Sequence, residues 1–374
     1  MRIAWLNNVQ APYREPMFVE LARLVDLEVG FFARRERFRN FVWRPHPGYP
    51  SSVLPSVPLP LPPAVRRRLG EEVGLLRPGV VGRFLRATDA LVVQVWWQPA
   101  TLHGILAARR RRIPYLIYAE STMASRSVKN GPADALRSWV FRNAGAVLVP
   151  GPSAAAAALT NGTPASRIVE TVNSVDVEIY GPRVRALRAH TPTEGPHRFA
   201  CIGQLIERKN VHSLLRALAA TGGDAVLEIV GDGVDKSALQ ALAMELGIAD
   251  RVRFLGFLQP QDVLEVLARC HTLALPSTDE VYGYTALEAH VAGLRVIVSD
   301  RCGIASNLRG RCGVDVTEPD VPALTAALRR AVADGPRWFD DTDTWFASPR
   351  RAAEDVVSAV RLTTRPQPTT TSGS

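Results

Sequence analysis

The chain has 374 residues, more than one hydrophobic core usually organises, and its 47% hydrophobic and 22% charged residues exclude global disorder. The formal net charge of +9 is uneven, with +10 in residues 1–180 and −1 in residues 181–374. No apolar run is long enough to span a membrane as a helix, and no two of the four cysteines have the close spacing of a zinc or redox pair.

Ile3–Leu6 is a buried-strand run, followed by a polar loop from Asn7 through Arg14 and a helical pattern over Glu15–Leu24. A second strand run begins at Leu27, which gives a βαβ start. Residues 45–65 are Pro-rich and aperiodic and read as a long connecting loop. Ala90–Val95, Tyr115–Tyr118 and Ala146–Val149 are further strand runs, each after a helix-like stretch, so residues 1–180 are expected to form a parallel sheet with crossover helices. Residues 181–197 turn polar and Pro/Gly-bearing, as a linker would.

A second series then alternates regularly, with strand runs from Arg198, Ala225, Val252, Thr272 and Arg295 and helices over 211–220, 235–246, 260–269 and 284–292. A second doubly wound sheet over 198–335 is expected, with ligand outside the carboxyl ends of the strands, in a cleft between the two domains. Residues 336–362 are expected to be helical and to pack back on the N-terminal domain, and 363–374 to be a disordered polar tail. The N-terminus enters its first strand without the apolar segment of a secretory signal, so a cytoplasmic location is expected.

Three features fall where carboxyl ends of strands should lie. Gly203 to Asn210 contains Arg208 and Lys209, two adjacent cations that can neutralise a diphosphate leaving group. Gly231-Asp232-Gly233 follows the second run of that series, from Ala225; alone it reads as a turn more often than a site. Pro276 to Ala289 places Glu280 after a strand, Gly283 where backbone can approach a ligand, and Glu288 one turn inside a helix starting near Tyr284. Amides of that first turn can bind a phosphate or sugar oxygen, and a carboxylate can accept two hydrogen bonds from a ribose diol.

On these residues the second half resembles the donor domain of GT-B glycosyltransferases, specifically glycosyltransferase family 4, in which two glutamates lie in a P-S-x-x-E-x-x-G-x-x-x-x-E-A frame. Glu280 and Glu288 occupy that frame, Lys209-Asn210 match the K-G or K-N element, residues 231–233 the G-D-G, and Phe254-Leu255-Gly256 the F-L-G. The match covers 199–330; Pro150–Ser153 and Asn173–Asp176 resemble family elements more loosely.

The resemblance implies a GT-B fold of two Rossmann-like domains and a retaining, metal-independent transfer of a sugar from a nucleotide-sugar donor, UDP- or GDP-linked, to an unidentified acceptor. It implies that Lys209 and Arg208 hold the donor diphosphate near Gly203 and Gly231, that Glu288 holds the ribose and Glu280 the sugar, and that amides of Gly283, Tyr284 and Thr285 assist. No cofactor and no metal are implied, and Asp341-Thr-Asp343, a literal D-x-D, reads as a solvated turn.

The chain departs from the family pattern in its N-terminal half. Gln204 stands where many members have Arg, and Asn7–Pro12 replace a Gly-Gly loop. Glu120 stands where a His is common; it reads as a polar group of the cleft or as a helix cap. Asn8, Arg14, Glu120 and Trp97 are the acceptor-side candidates, and packing is the alternative for at least one ring of the Trp96-Trp97 pair.

A nucleotide-sugar epimerase on the same architecture and a non-catalytic nucleotide-sugar-binding protein remain alternatives. A dehydrogenase lacks its G-x-G-x-x-G, and the Arg runs lack the interleaved aromatics of a nucleic-acid binder. Those runs, at 34–39, 66–68 and 109–112, instead suggest peripheral contact with an anionic membrane, with residues 63–76 as the candidate segment and salt-sensitive vesicle binding as the expected result.

Overall fold

The computed structural model describes residues 1–33, 35–36, 41–42, 44–60, 74–120, 131–190, 195–339 and 343–364. The chain divides into two compact units, Met1–Ser174 with Pro349–Ser374, and Val175–Ser348.

The first unit is a seven-stranded sheet of β1 (Arg2–Asn7), β2 (Asp26–Phe31), β3 (Ser51–Val53), β4 (Ala90–Val93), β5 (Tyr115–Tyr118), β6 (Ala146–Val149) and β7 (Ile168–Glu170). Its order is β7-β6-β5-β4-β1-β2-β3, every pair parallel. Ile3, Trp5, Leu91, Val93, Ile117 and Leu148 are all fully buried because helices cover both faces, so the strands read as unbroken apolar runs. Helix α1 (Glu15–Leu24) turns Met17, Phe18 and Leu21 onto one face of the sheet. The C-terminal helix, Pro349–Thr364, packs against α1 and sets Ala352, Val356 and Val360 into the same core. Helix α2 (Pro99–Arg110) covers the other face through Ile105 and Ala108.

The second unit is a six-stranded parallel sheet of β8 (Arg198–Ile202), β9 (Val226–Val230), β10 (Val252–Gly256), β11 (Thr272–Leu275), β12 (Arg295–Ser299) and β13 (Val314–Thr317), ordered β10-β9-β8-β11-β12-β13. Its helices α3 (Val211–Thr221), α4 (Tyr284–Val291) and α5 (Val321–Ala333) bury Leu214, Leu287 and Leu328 on it. Strand order reverses between β1 and β4 in one unit and between β8 and β11 in the other. At such a reversal doubly wound sheets place ligands, outside the carboxyl ends of the strands.

The structure departs from the sequence expectations in three places. Ser51–Val53 inside the aperiodic 45–65 stretch joins β2 as an edge strand, and Ser56–Pro58 pairs antiparallel with Gly74–Leu76; three-residue strands beside prolines are too short for alternation to show. Val184–Arg188, inside the expected linker 181–197, and Ile179–Arg183 across its start are helical, and Val184 is fully buried in the second unit, which begins at Val175. The C-terminal helix runs through Thr363 and Thr364, whose hydroxyls donate to the Val360 carbonyl. Residues 37–40, Arg66–Arg68 and most of the 63–76 segment lie outside the described residues, as does Asp341. Among the described residues no helix is long and apolar enough to cross a membrane.

Three histidines of the second unit are buried. His197 packs on Phe199 and His271, with ring centroids 4.7 and 5.2 Å away, and His290 lies against Phe346. Burial disfavours their charged form and pushes each down to about 4. The unfolded chain therefore binds protons that the folded one refuses, so their stabilising contribution is complete above about pH 6.5 and is lost as pH falls from there to about 4. Glu288, pushed up to about 7 by burial, works in the opposite sense, but three groups outweigh one. The melting temperature is expected to fall from pH 7 to pH 5; a flat or rising profile would contradict this account.

Candidate functional site

Both strand-order reversals carry polar side chains at their carboxyl edges. In the second unit, the loop leaving β8 turns at Gly203 and reaches a short helical turn, Glu207–Lys209. The Lys209 side chain lies across Gly203, where a Cβ would sit 3.5 Å from its Cε and Nζ. The loop leaving β11 runs from Pro276 to Gly283. The two loops are joined along their backbones, since Thr278 N donates to the Arg208 carbonyl at 2.9 Å and Arg208 Nη1 donates to the Asp279 carbonyl at 3.0 Å.

This contact delivers Lys209 to Glu280, whose carboxylate accepts a hydrogen bond from the Lys209 ammonium, while Arg208 Nη1 stands 3.4 Å from the same oxygen. Side-chain exposure is 14% for Lys209 and Glu280 but 42% for Arg208, so the pair sits at the floor of the edge and the guanidinium at its rim. The backbone of Glu280 is held from a third loop: Gly303 N donates to its carbonyl at 3.0 Å, and Ile304 N to that of Tyr282 at 2.8 Å. A Cβ on Gly303 would stand 2.2 Å from the Val281 carbonyl oxygen.

Gly283 caps α4 with φ 106°, and no side-chain cap covers the helix's amino end. That end bears Tyr284 and Thr285 and the positive pole of the helix. One turn in, Glu288 lies beside Tyr180, on the helical turn Ile179–Arg183. Burial pushes Glu288 up to about 7, and the Tyr180 hydroxyl pulls against that rise by favouring the carboxylate. Sequence reasoning missed Tyr180, because its partner is remote in the chain and Tyr180 stands at the end of the expected N-terminal domain. If ionised Glu288 holds the donor, its apparent KM should rise as pH falls through 7. Tyr180→Phe is expected to move that rise to higher pH, read from donor KM between pH 6 and 9; an unmoved profile would separate Tyr180 from Glu288.

Packing by itself requires glycine at position 231. It has φ 133°, its amide donates to the Gly256 carbonyl, and a Cβ there would stand 1.9 Å from the Gly203 carbonyl oxygen. The loops after β8 and β9 are in backbone contact, with Leu205 N donating to the Asp232 carbonyl at 2.9 Å.

In the first unit a chain of side chains follows the reversal between β1 and β4. Asn7 Nδ2 donates to Gln94 Oε1 at 2.9 Å, Gln94 Nε2 to Glu120 Oε2 at 3.0 Å, and Arg14 to Glu120 Oε1 at 2.5 Å. Arg14 is buried at 3% exposure with its guanidinium 4.6 Å from the Tyr118 ring centroid. It packs beneath Glu120 and orients it, so of the acceptor-side candidates Arg14 is a buried one. Glu120 belongs to this network at the carboxyl edge, and Asn8 beside it is half-buried with its amide donating to Asn7 Oδ1. Trp96 packs edge-on against Phe141, whereas Trp97 is 40% exposed.

Comparison with known proteins agrees with this geometry. Residues 185–340 match the family model described as glycosyl transferases group 1. A glycogen synthase of Mycobacterium tuberculosis is 31% identical over 195 residues, 48% of this chain and 47% of that protein. The 2-deoxystreptamine glucosyltransferase of Streptomyces kanamyceticus is 27% identical over 252 residues, 63% of this chain and 62% of that protein. The matched region thus spans about half the length of the first of these relatives. Among solved structures, Anabaena Alr3699/HepE in complex with UDP superposes with a TM-score of 0.70 at 20% identity, over 97% of both chains. The lipopolysaccharide outer core galactosyltransferase WaaB in its apo form gives 0.69 at 19%, over 96% of this chain and 99% of that one. The fold is therefore GT-B, and residues 185–340 are similar to the glycosyl transferases group 1 family.

Proposed function

We propose that the protein is a retaining glycosyltransferase that moves a sugar from a nucleotide-diphosphate-sugar, UDP- or GDP-linked, to an acceptor hydroxyl of a glycan, a lipid-linked glycan or a secondary metabolite. The observation that carries this reading is the meeting of Lys209, Arg208 and Glu280 on two loops at the strand-order reversal of the second unit, with Glu288 one turn into the adjoining helix.

In the transfer, the bond from the anomeric carbon to the diphosphate oxygen breaks, the acceptor oxygen bonds to the same face of that carbon, and the acceptor proton leaves with the departing phosphate. Charge grows on the diphosphate as the bond lengthens. Two fixed cations in a partly dehydrated edge stabilise that charge more than water does, because they need no reorientation. Lys209 and Arg208 supply them, and Glu280 keeps both aligned before the donor arrives. The positive pole of α4 faces the donor, Glu280 and the amides near Gly283 to Thr285 hold sugar hydroxyls, and Glu288 holds the ribose diol. The cation pair takes the place that a divalent ion fills in other transferases, so transfer is expected to persist in chelator. Cytoplasmic location belongs to the same reading.

The test is a thermal-unfolding screen of UDP-, GDP- and ADP-sugars, since a ligand of the folded state raises its apparent stability. The stabilising donor is then incubated with candidate acceptors and the anomeric configuration of the product read by NMR. Inversion would refute retention. Failure of every nucleotide-sugar to stabilise the protein would refute the donor assignment.

A further inference from the structure

Asn210 follows the two cations and opens α3, and its backbone is left-handed, with φ 55° and ψ 32°. Asparagine tolerates that conformation better than most residues, but glycine would adopt it with no steric cost, so the turn alone does not call for a side chain. The side chain has its own partners. Nδ2 donates to the Pro276 carbonyl at 3.0 Å and to the Pro319 carbonyl at 2.6 Å, and the residue is only 2% exposed. The orientation is chemically forced, because two carbonyl oxygens can be met by the two hydrogens of an amide nitrogen and not by its oxygen.

Those carbonyls belong to separate loops. Pro276 begins the loop after β11 that carries Glu280, and Pro319 lies between β13 and α5, beside the α5 cap in which Asp320 accepts from Ala323 N. One buried amide thus ties the turn bearing Arg208 and Lys209 to two neighbouring strand exits. Lys209 reaches Glu280 from this turn, and Thr278 N grips the Arg208 carbonyl from the facing loop.

We propose that Asn210 is a positioning residue that holds the Lys209 and Arg208 cations in register with the loop of Glu280, and so sets how tightly a nucleoside diphosphate is gripped. The inference rests on the donor reading of this site. Removing the carboxamide leaves the left-handed turn possible but frees it from two loops, so the ammonium is spread over positions of which only some meet the diphosphate. The loss travels through Lys209 and vanishes where Lys209 is already absent.

The experiment is a double-mutant cycle on UDP affinity, measured by calorimetry with the full chain: wild type, Asn210→Gly, Lys209→Ala and the double variant, with melting temperature recorded for each. Asn210→Gly is expected to weaken UDP about tenfold in the wild-type background, the loss that follows when a charge-assisted contact is mispositioned, and less than about twofold in the Lys209→Ala background. A purely structural role for Asn210 would weaken UDP equally in both backgrounds, and that result overturns the proposal, as does unchanged affinity in the single variant. Asn210→Asp provides a second arm if the glycine variant does not fold: at pH 8 its carboxylate offers neither carbonyl a proton, and it is expected to lose at least as much affinity with the same coupling. Wild-type protein that binds none of UDP, GDP and ADP would overturn the donor reading and the brace with it. Binding by wild type with additive losses overturns the brace alone.

Discussion

Lys209→Ala is expected to lower turnover with the cognate nucleotide-sugar by about 10²-fold or more, with the melting temperature little changed. The ammonium is the more buried of the two cations, at 14% side-chain exposure against 42% for Arg208, so it acts through a less screened environment. Its partner Glu280 is left facing Arg208 alone, at 3.4 Å, and a rim guanidinium cannot move inward without giving up the Asp279 carbonyl. The loss should therefore not be recovered by Arg208. Lys209→Arg separates charge from fit: a planar fork in place of a compact ammonium restores charge but not the path across Gly203, and intermediate turnover is expected. Steady-state kinetics at saturating donor decide the matter. Turnover within a few fold of wild type in Lys209→Ala would remove this residue from the reaction.

Gly231→Ala is expected to cost on the order of 2–5 kcal/mol of stability, through a backbone conformation that L side chains rarely adopt and a Cβ with no room. The clash is with the Gly203 carbonyl oxygen at 1.9 Å, a backbone atom, so no side-chain rotation relieves it. A fall of about 10 °C in melting temperature follows for a unit of this size. Were Gly231 needed only to let donor approach, the variant would melt like wild type and lose donor binding alone. Differential scanning calorimetry without ligand distinguishes the two.

Much of the second unit was legible in the sequence because its strands are buried on both faces and its helices long, which gives apolar runs separated at regular intervals. Glu280 and Glu288 were legible for a different reason: they lie eight residues apart on one loop and helix, so the frame that joins them is local. What escaped is long-range. The carbonyl partners of Asn210 lie 66 and 109 residues away, and Tyr180 meets Glu288 from the last position of what reads as the N-terminal domain. Gly231 was visible but its reason was not, since a glycine forced by a neighbouring carbonyl and one left open for a ligand read alike. In the first unit, Glu120 was found by its place after a strand, whereas the burial of Arg14 beneath it depends on a pairing across 106 residues.

The C-terminal helix Pro349–Thr364 completes the core of the first unit, although all of the second unit lies before it in the chain. During synthesis, then, the unit begun first is finished last. Met17, Phe18 and Leu21 emerge early and wait for Ala352, Val356 and Val360, while Val175–Ser348 is contiguous and can close its own core in the interval. The nascent N-terminal sheet carries an incompletely covered apolar face until the last helix arrives, and truncation before Pro349 would make that exposure permanent, leaving an intact second unit attached to an aggregation-prone partner.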